Sequence, residues 1–163
     1  ESHDPGFASS DIEPRFTLAQ HRDEESVLEL MREFYPGERL TYREDVARAG
    51  LGALWSDPTL GRVYLIRAGE ELAGYCVLAF GFSFEFHGRD ALIDELYVRD
   101  RFRGRGYGSA CLNWLETLCR SEGIRAIHLE VDHGNTRAQR FYDRLGYRDH
   151  DRHLMTKWLV NPL

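Results

Sequence analysis

Three glycines placed just after an apolar strand constrain this chain more than any other feature. Residues 94–98 read Asp-Glu-Leu-Tyr-Val, and residues 103–109 read Arg-Gly-Arg-Gly-Tyr-Gly-Ser. Glycine has no Cβ, so the backbone N–H groups of such a segment can approach a ligand closely. The amphipathic helix predicted to follow adds unpaired N–H donors and the positive end of its dipole. The pattern therefore suits a phosphate or pyrophosphate site, and a glycine-rich strand-to-helix turn without a ligand is an equal alternative until a second motif is considered.

The spacing excludes two common phosphate motifs. A Walker loop needs a lysine after its last glycine, and Lys157 is the only lysine in the chain. The dinucleotide fingerprint needs a third glycine, but Ser109 or Cys111 occupies that position in the two available registers. What remains is an Arg-x-x-Gly-x-Gly pattern, Arg103 to Gly108, after a Leu-Tyr-Val strand.

This pattern resembles the acyl-CoA pyrophosphate loop of the GNAT acetyltransferase superfamily. The resemblance implies that acetyl-CoA is the co-substrate. No metal is expected, because His150 and His153 have no supporting cluster of ligands in the sequence. Its pyrophosphate would lie on the loop formed by Arg103, Gly104, Arg105, Gly106, Tyr107, Gly108 and Ser109. Its pantetheine arm would enter where the strands ending at Val98 and Val131 splay apart. There it would pair like an added strand with the backbone of Leu96, Tyr97 and Val98.

A second motif lies downstream and strengthens the resemblance. Residues 124–131 alternate as a strand does, and residues 135–147 read as a short helix closed by a glycine. Asn135 and Tyr142 are seven residues apart, so they can share one helix face. By resemblance, Asn135 would bond the pantetheine arm, and Tyr142 would lie beside the thioester sulfur as general acid. The alternatives are a helix cap for Asn135 and a half-buried aromatic for Tyr142.

Two adjacent carboxylates, Asp94 and Glu95, are the candidates for the catalytic base. A free amine is the nucleophile in acetyl transfer, so an ammonium acceptor must first lose a proton. Polyamine-type and diamine-type acetyltransferases resemble this chain in having paired acids before the same strand. Alternation along a strand places neighbours on opposite faces, so we expect only one of the two to face the site. A β-bulge would change that assignment.

The substrate candidates lie on other elements. Glu85 follows a stripe of alternating phenylalanines in the strand predicted over residues 72–86, and that stripe is predicted to be core. Tyr35 belongs to residues 34–39, predicted as a loop after the first helix. In the resembled family this region covers the acceptor, and its aromatic and acidic residues suit a cationic amine.

Composition bounds the remaining expectations. With 163 residues and 42% hydrophobic content, the chain is predicted to form one domain over residues 13–163, after a flexible tail over residues 1–12. The net charge of −6 argues against a nucleic-acid partner. Three cysteines without metal spacing indicate free thiols and a cytoplasmic protein. No apolar run approaches the roughly 20 residues that span a bilayer. A homodimer is left open.

The predicted element order is β-α-α-β-β-β-α-β-α-β-β, with the last two strands across residues 147–159 and a cap at Thr41 for the second helix. This order agrees with the GNAT fold, a twisted mixed α/β sheet with helices on both faces. We therefore predict an N-acetyltransferase acting on a small cationic amine. Two alternatives stay open: an enzyme that acetylates a protein lysine or N-terminus, and an acyl-CoA-binding module without catalysis.

Overall fold

A computed structural model describes residues 12–162. In chain order its helices and strands are β1 (Pro14–Leu18), α1 (Glu24–Gly37), α2 (Glu44–Ser56), β2 (Gly61–Ala68), β3 (Glu71–Ser83), β4 (Gly88–Val98), α3 (Tyr107–Ser121), β5 (Ala126–His128) and α4 (Thr136–Arg144). The described residues up to 130 form one compact unit, and those from 131 onward form a second. The predicted tail lies outside the described residues except for Ile12, whose carbonyl accepts a hydrogen bond from the Tyr107 hydroxyl. No helix in the described range is long and apolar enough to cross a membrane.

The first unit is built on one mixed sheet. Its five strands lie in the order β1-β2-β3-β4-β5, the first four antiparallel and β5 parallel to β4. A parallel neighbour needs a crossover, and α3 supplies it between β4 and β5. The fold is therefore the mixed α/β sheet that the sequence predicts.

The helices α1 and α2 cover one face of this sheet. Apolar residues recur on one side of α1 because they follow the helical period, and they are buried. They pack on every second residue of the central strands, as the two-residue period of a strand requires. The resulting core contains Val27, Leu28, Leu30, Met31 and Leu51 from the helices and Val63, Leu65, Tyr75, Val77 and Tyr97 from the strands.

The helix α3 covers the opposite face. Its buried side chains include Cys111, Leu112 and Leu115. The Cys111 sulfur lies 3.7 Å from the sulfur of Cys76 on β3, and both residues are fully buried. Trp114 packs edge-on against the ring of Tyr64 on β2. Since α3 begins at the glycine-rich segment, this packing fixes that segment against the sheet.

Three predicted features differ from the structure. Thr41 does not cap α2, because that helix begins at Glu44, whose carboxylate is paired with Arg32. Glu85 does not lie in a strand: β3 ends at Ser83, and residues 84–87 form the hairpin turn. The phenylalanine stripe is not all core, since Phe82 and Phe84 at this hairpin are 64% and 90% exposed.

The two strands predicted over residues 147–159 are not present in the described structure, where residues 145–162 contain no helix or strand. Residues 148–153 are an unbroken run of charged and histidine side chains, without apolar alternation. The Asp149 carboxylate accepts a hydrogen bond from the Asp151 N–H, and Asp151 has a positive φ of 51°. Such local bonds compete with the hydrogen bonds of a strand ladder.

The close approach of β3 to the end of β4 gives a test of this fold. A Cβ at Gly74 would lie 2.0 Å from the Tyr97 carbonyl oxygen, so Gly74→Ala must push the two strands apart. We expect the free energy of unfolding, measured by urea titration, to fall by about 2–3 kcal/mol. Gly50→Ala in α2 is the control, because its Cβ meets no atom within 4 Å. That substitution should stabilise the helix by about 0.5–1 kcal/mol. Equal stabilities for the two variants would contradict the strand register.

Candidate active site

The pairing of β3 with β4 is interrupted at Asp94. Val77 pairs with Glu95 and Leu78 with Ile93, so Asp94 has no partner on β3. Between these two pairs β4 has one residue more than β3, which is a β-bulge. Bulges bend a strand and increase its local twist.

The bulge changes which side chains share a face. Leu92 pairs with Ala79 and Leu96 pairs with Cys76, which lie on opposite faces of β3 because they are three residues apart. The alternation of β4 is thus reset across Asp94. Glu95 pairs with Val77 and so faces the helices α1 and α2. Simple alternation across Asp94 therefore does not decide which of the two acids faces the site, and that assignment stays a prediction.

Glu95 is held by two tyrosine hydroxyls. The Tyr35 hydroxyl donates to Oε2 at 2.6 Å, and the Tyr75 hydroxyl donates to Oε1 at 2.6 Å. Tyr35 comes from the last turn of α1, and Tyr75 comes from the neighbouring strand β3. We call these three residues the Glu95 clamp. Because each carboxylate oxygen has its own donor, the side chain is fixed in one orientation.

Burial and charge shift the titration of the clamp. Partial burial raises the pKa of Glu95 above its usual value of 4.5, although the two tyrosine hydrogen bonds oppose the rise. The charge of nearby Asp94 raises it further. Burial and the Glu95 carboxylate raise the pKa of both tyrosines, so their hydroxyls stay protonated as donors. The protein around the Asp94 carboxyl removes part of its hydration by burial, and this raises its pKa. The residue as a whole is still exposed, and no hydroxyl donates a hydrogen bond to it in the described structure.

β5 pairs with only the first part of β4. β5 pairs with β4 only over Asp90–Leu92, before the bulge. Residues 93–98 of β4, including Leu96, Tyr97 and Val98, have no β5 residue opposite them in the described structure. β5 ends at His128 rather than at Val131, so its pairing with β4 stops before the backbone that the sequence assigns to the pantetheine arm, and that role stays a prediction.

The glycine-rich loop has the backbone geometry of an anion site. Gly104 and Gly106 have φ values of 74° and 79°, which other residues adopt only with strain. Gly106 is the N-cap of α3 and provides no side-chain cap. A Cβ at either glycine would meet no atom within 4 Å, so the space outside the loop is open. The N–H groups at the start of α3, at Tyr107, Gly108 and Ser109, are left for an external acceptor.

The arginines around the loop make different contacts. The Arg103 side chain folds back, and its Nε donates to the Val98 carbonyl at 3.0 Å. Arg101 is paired with Glu71. Arg105 lies 5.7 Å from the centre of the Phe102 ring and has no carboxylate partner in the described part of the chain. Arg105 is therefore the loop arginine whose charge is least compensated.

Asn135 and Tyr142 belong to the second compact unit. The Asn135 side-chain oxygen accepts from the Ala138 N–H at 3.1 Å, so this residue caps α4. A cap uses only the amide oxygen, and the amide NH₂ remains a donor. Tyr142 lies on α4 with its ring near those of Phe141 and Tyr147. The ligand roles of Asn135 and Tyr142 remain predictions.

Comparison with known proteins decides the family. Residues 24–147 match the Acetyltransferase (GNAT) family. The chain belongs to that family. It is similar to the thialysine N-epsilon-acetyltransferase of Bos taurus, with 30% identity over 140 residues that cover 80% of this chain and 82% of that protein. It is likewise similar to the aminoalkylphosphonate N-acetyltransferase of Salmonella typhimurium, with 30% identity over 132 residues, 80% of this chain and 82% of the relative.

Among solved structures, an integron cassette protein from the mobile metagenome of Cole Harbour Salt Marsh matches with a TM-score of 0.79 and 33% identity. The match covers 90% of this chain and 91% of that chain. The protein is therefore an acetyl-CoA-dependent acyltransferase of the GNAT family. The loop residues fit that co-substrate, since a pyrophosphate needs uncapped N–H groups and the room that two glycines leave.

The sequence did not point to Tyr75, and it pointed to Tyr35 only as a substrate contact, a role that stays a prediction. Tyr75 sits inside an apolar run, where a tyrosine is more often a core residue with a satisfied hydroxyl. Tyr75 is two residues from Val77, the partner of Glu95, so the two side chains share a face of β3. That proximity to Glu95 follows only from the register of β3 with β4, which the sequence does not show. Glu85 lies in the hairpin turn before β4, whereas Asp94 lies in the second half of that strand, so the structure does not bring Glu85 next to the acid pair along the chain.

The clamp predicts a measurable change in the titration of Glu95. Tyr35→Phe removes one donor to the carboxylate, so the pKa of Glu95 should rise by about one, the effect of one charge-assisted hydrogen bond. Carbon NMR of the glutamate carboxyl groups measures this directly. Tyr42→Phe is the control, since the Tyr42 ring packs on Tyr35 but its hydroxyl makes no hydrogen bond in the described structure. A pKa that is unchanged in Tyr35→Phe would contradict the clamp.

Proposed function

We propose that this protein transfers the acetyl group of acetyl-CoA to the primary amine of a small cationic acceptor. The observation that carries the proposal is the pair of carboxylates at the β4 bulge, beside an unpaired strand edge. An acceptor ammonium is attracted to such a pair, and the open edge leaves room for the thioester arm. Two relatives whose names specify small amine substrates support a small amine as the acceptor, and the positive charge is inferred from the carboxylate pair.

The two carboxylates have different roles in this proposal. Both oxygens of Glu95 already accept short hydrogen bonds, so Glu95 supplies a fixed negative charge that binds and orients the ammonium. Asp94 is exposed and carries no such donors, so it accepts the proton from the ammonium, directly or through a water molecule. Its raised pKa makes it a better base than an ordinary aspartate.

The remaining roles follow from the family resemblance. The loop from Arg103 to Ser109 binds the pyrophosphate through its N–H groups, and the backbone from Leu96 to Val98 binds the pantetheine arm. Asn135 donates to that arm through its amide NH₂, and Tyr142 gives a proton to the departing thiolate. A screen of acetyl-CoA consumption across polyamines, amino acids, aminoglycosides and peptides tests the function. Acetylation of peptides alone would contradict the proposed acceptor class.

Cofactor binding can be tested at the loop. Gly106→Asp places a negative side chain against the phosphates, and we expect the affinity for acetyl-CoA, measured by calorimetry, to fall at least about tenfold. Gly123→Asp is the matched control, because Gly123 follows the other end of α3, has a φ of 75° and meets no atom within 4 Å. It carries the same strain and charge away from the loop. If both variants bind acetyl-CoA equally well, the loop assignment is wrong.

The division between the carboxylates predicts two kinetic patterns. Asp94→Asn should lower kcat by about 10²-fold or more, as expected for loss of a general base. Glu95→Gln should act mainly through KM, because it removes charge that binds the ammonium. In the parent protein, activity should fall as the pH drops through the raised pKa of Asp94, since only the carboxylate accepts a proton.

Glu70→Gln, in the exposed turn between β2 and β3, is the control for loss of one acidic residue. It should leave both kinetic parameters unchanged. Negligible losses from both Asp94→Asn and Glu95→Gln would place the base elsewhere.

A further inference from the structure

A second polar pair lies on the same face of the sheet as Glu95. His128 Nε2 lies 3.1 Å from Asp90 Oδ2, joining the first residues of β4 to the end of β5. Most of both side chains is buried, with 29% of the histidine and 17% of the aspartate exposed. The proposed acetyl transfer assigns no role to Asp90 or His128.

The strand registers place Asp90 and His128 on the face of the sheet that carries Glu95. Leu92 pairs with both Ala79 and His128, and Asp90 pairs with Gly81. Ala79 and Gly81 are separated by even steps from Val77, the partner of Glu95, so all these side chains share one face. Asp94 lies two residues beyond Leu92, the partner of His128, so two strand steps and one strand spacing keep the backbones of Asp94 and His128 within about 12 Å.

The local structure holds the pair in one arrangement. A Cβ at Gly81 would lie 2.8 Å from Asp90 Oδ1, so the absence of a side chain there makes room for the carboxylate. The Phe86 ring packs edge-on against the His128 ring, with centroids 4.5 Å apart. The imidazole is thus fixed by a ring contact and by the carboxylate.

The chemistry of the pair defines what it can bind. An ionised carboxylate only accepts hydrogen bonds, so Nε2 of His128 carries the proton that points to Asp90. In the neutral ring, Nδ1 then keeps its lone pair and accepts a hydrogen bond. The pair has a net negative charge in this state, which favours a cationic donor over an anion.

We propose that Asp90 and His128 form a second cation subsite, in which His128 Nδ1 accepts a hydrogen bond from an ammonium at the far end of the acceptor. Asp90 is the positioning residue, because it acts by orienting the imidazole. This inference rests on the proposed function, since the first ammonium is the one bound at Asp94 and Glu95. The separation of the two subsites suits a short linear diamine better than a monoamine.

Kinetics with matched amines test the proposal. Putrescine and n-butylamine have the same four-carbon chain, but only putrescine carries a second ammonium. In His128→Gln, the side-chain N–H can still reach Asp90, while the acceptor at the Nδ1 position is lost. We expect its KM for putrescine to rise about tenfold, as for one charge-assisted hydrogen bond, and its KM for n-butylamine to rise no more than about twofold.

Two further variants separate this role from a structural one. His128→Asn places an amide oxygen near the Nδ1 position, so it should recover part of the preference for putrescine. His21→Gln changes an exposed histidine far from β5 in sequence and should leave the preference at the parent value. Equal KM changes for the two amines in His128→Gln, or none, would overturn the subsite.

Calorimetric titration of both amines separates this inference from the proposed function. If the parent protein consumes no acetyl-CoA with either amine, the proposed function fails. Weaker putrescine binding to His128→Gln than to the parent would then still support the subsite. Parent protein that binds the two amines equally would overturn it.

Discussion

One unpaired residue in a central strand organises the functional face of this protein. Asp94 has no partner on β3, so β4 contains a β-bulge there, and the pairing of β4 with β5 covers only residues before that point. The same irregularity resets the alternation of side chains along β4. In the proposed function, the two neighbouring carboxylates act on one acceptor, and the following backbone, which β5 does not pair with, takes the thioester arm.

The two layers of helices support different halves of the chemistry. The helix α1 brings Tyr35 to Glu95, and Arg99 at the end of β4 pairs with Glu29 and Glu33 of the same helix. The opposite layer, α3, carries the glycine-rich loop at its start and is fixed by its buried face. Burial of Glu95 disfavours its charge, while the two tyrosine donors favour it. An ammonium bound there would relieve the remaining cost, which is a reason for the clamp to select cations.

The sequence was most informative where local geometry needs a particular residue. Gly104 and Gly106 were singled out because a residue without Cβ lets the backbone approach a ligand closely, and in the structure both also have a positive φ, which glycine adopts without strain. The order of the first nine elements followed from the apolar periods. The bulge at Asp94 could be named only as an alternative, because register depends on pairing between distant segments. The same limit hid Tyr75 and the Asp90–His128 pair. Glu85 was misplaced because the phenylalanine stripe continued the strand period past the real turn.

A double-mutant cycle on the acid pair tests the central claim most directly. The claim is that the bulge lets Asp94 and Glu95 act on one ammonium. kcat/KM for one acceptor amine would be measured in the parent, Asp94→Asn, Glu95→Gln and the double variant. The account predicts a coupling energy above about 1 kcal/mol, because the two side chains share a substrate group. Losses that add within about 0.5 kcal/mol would show independent sites and contradict the account.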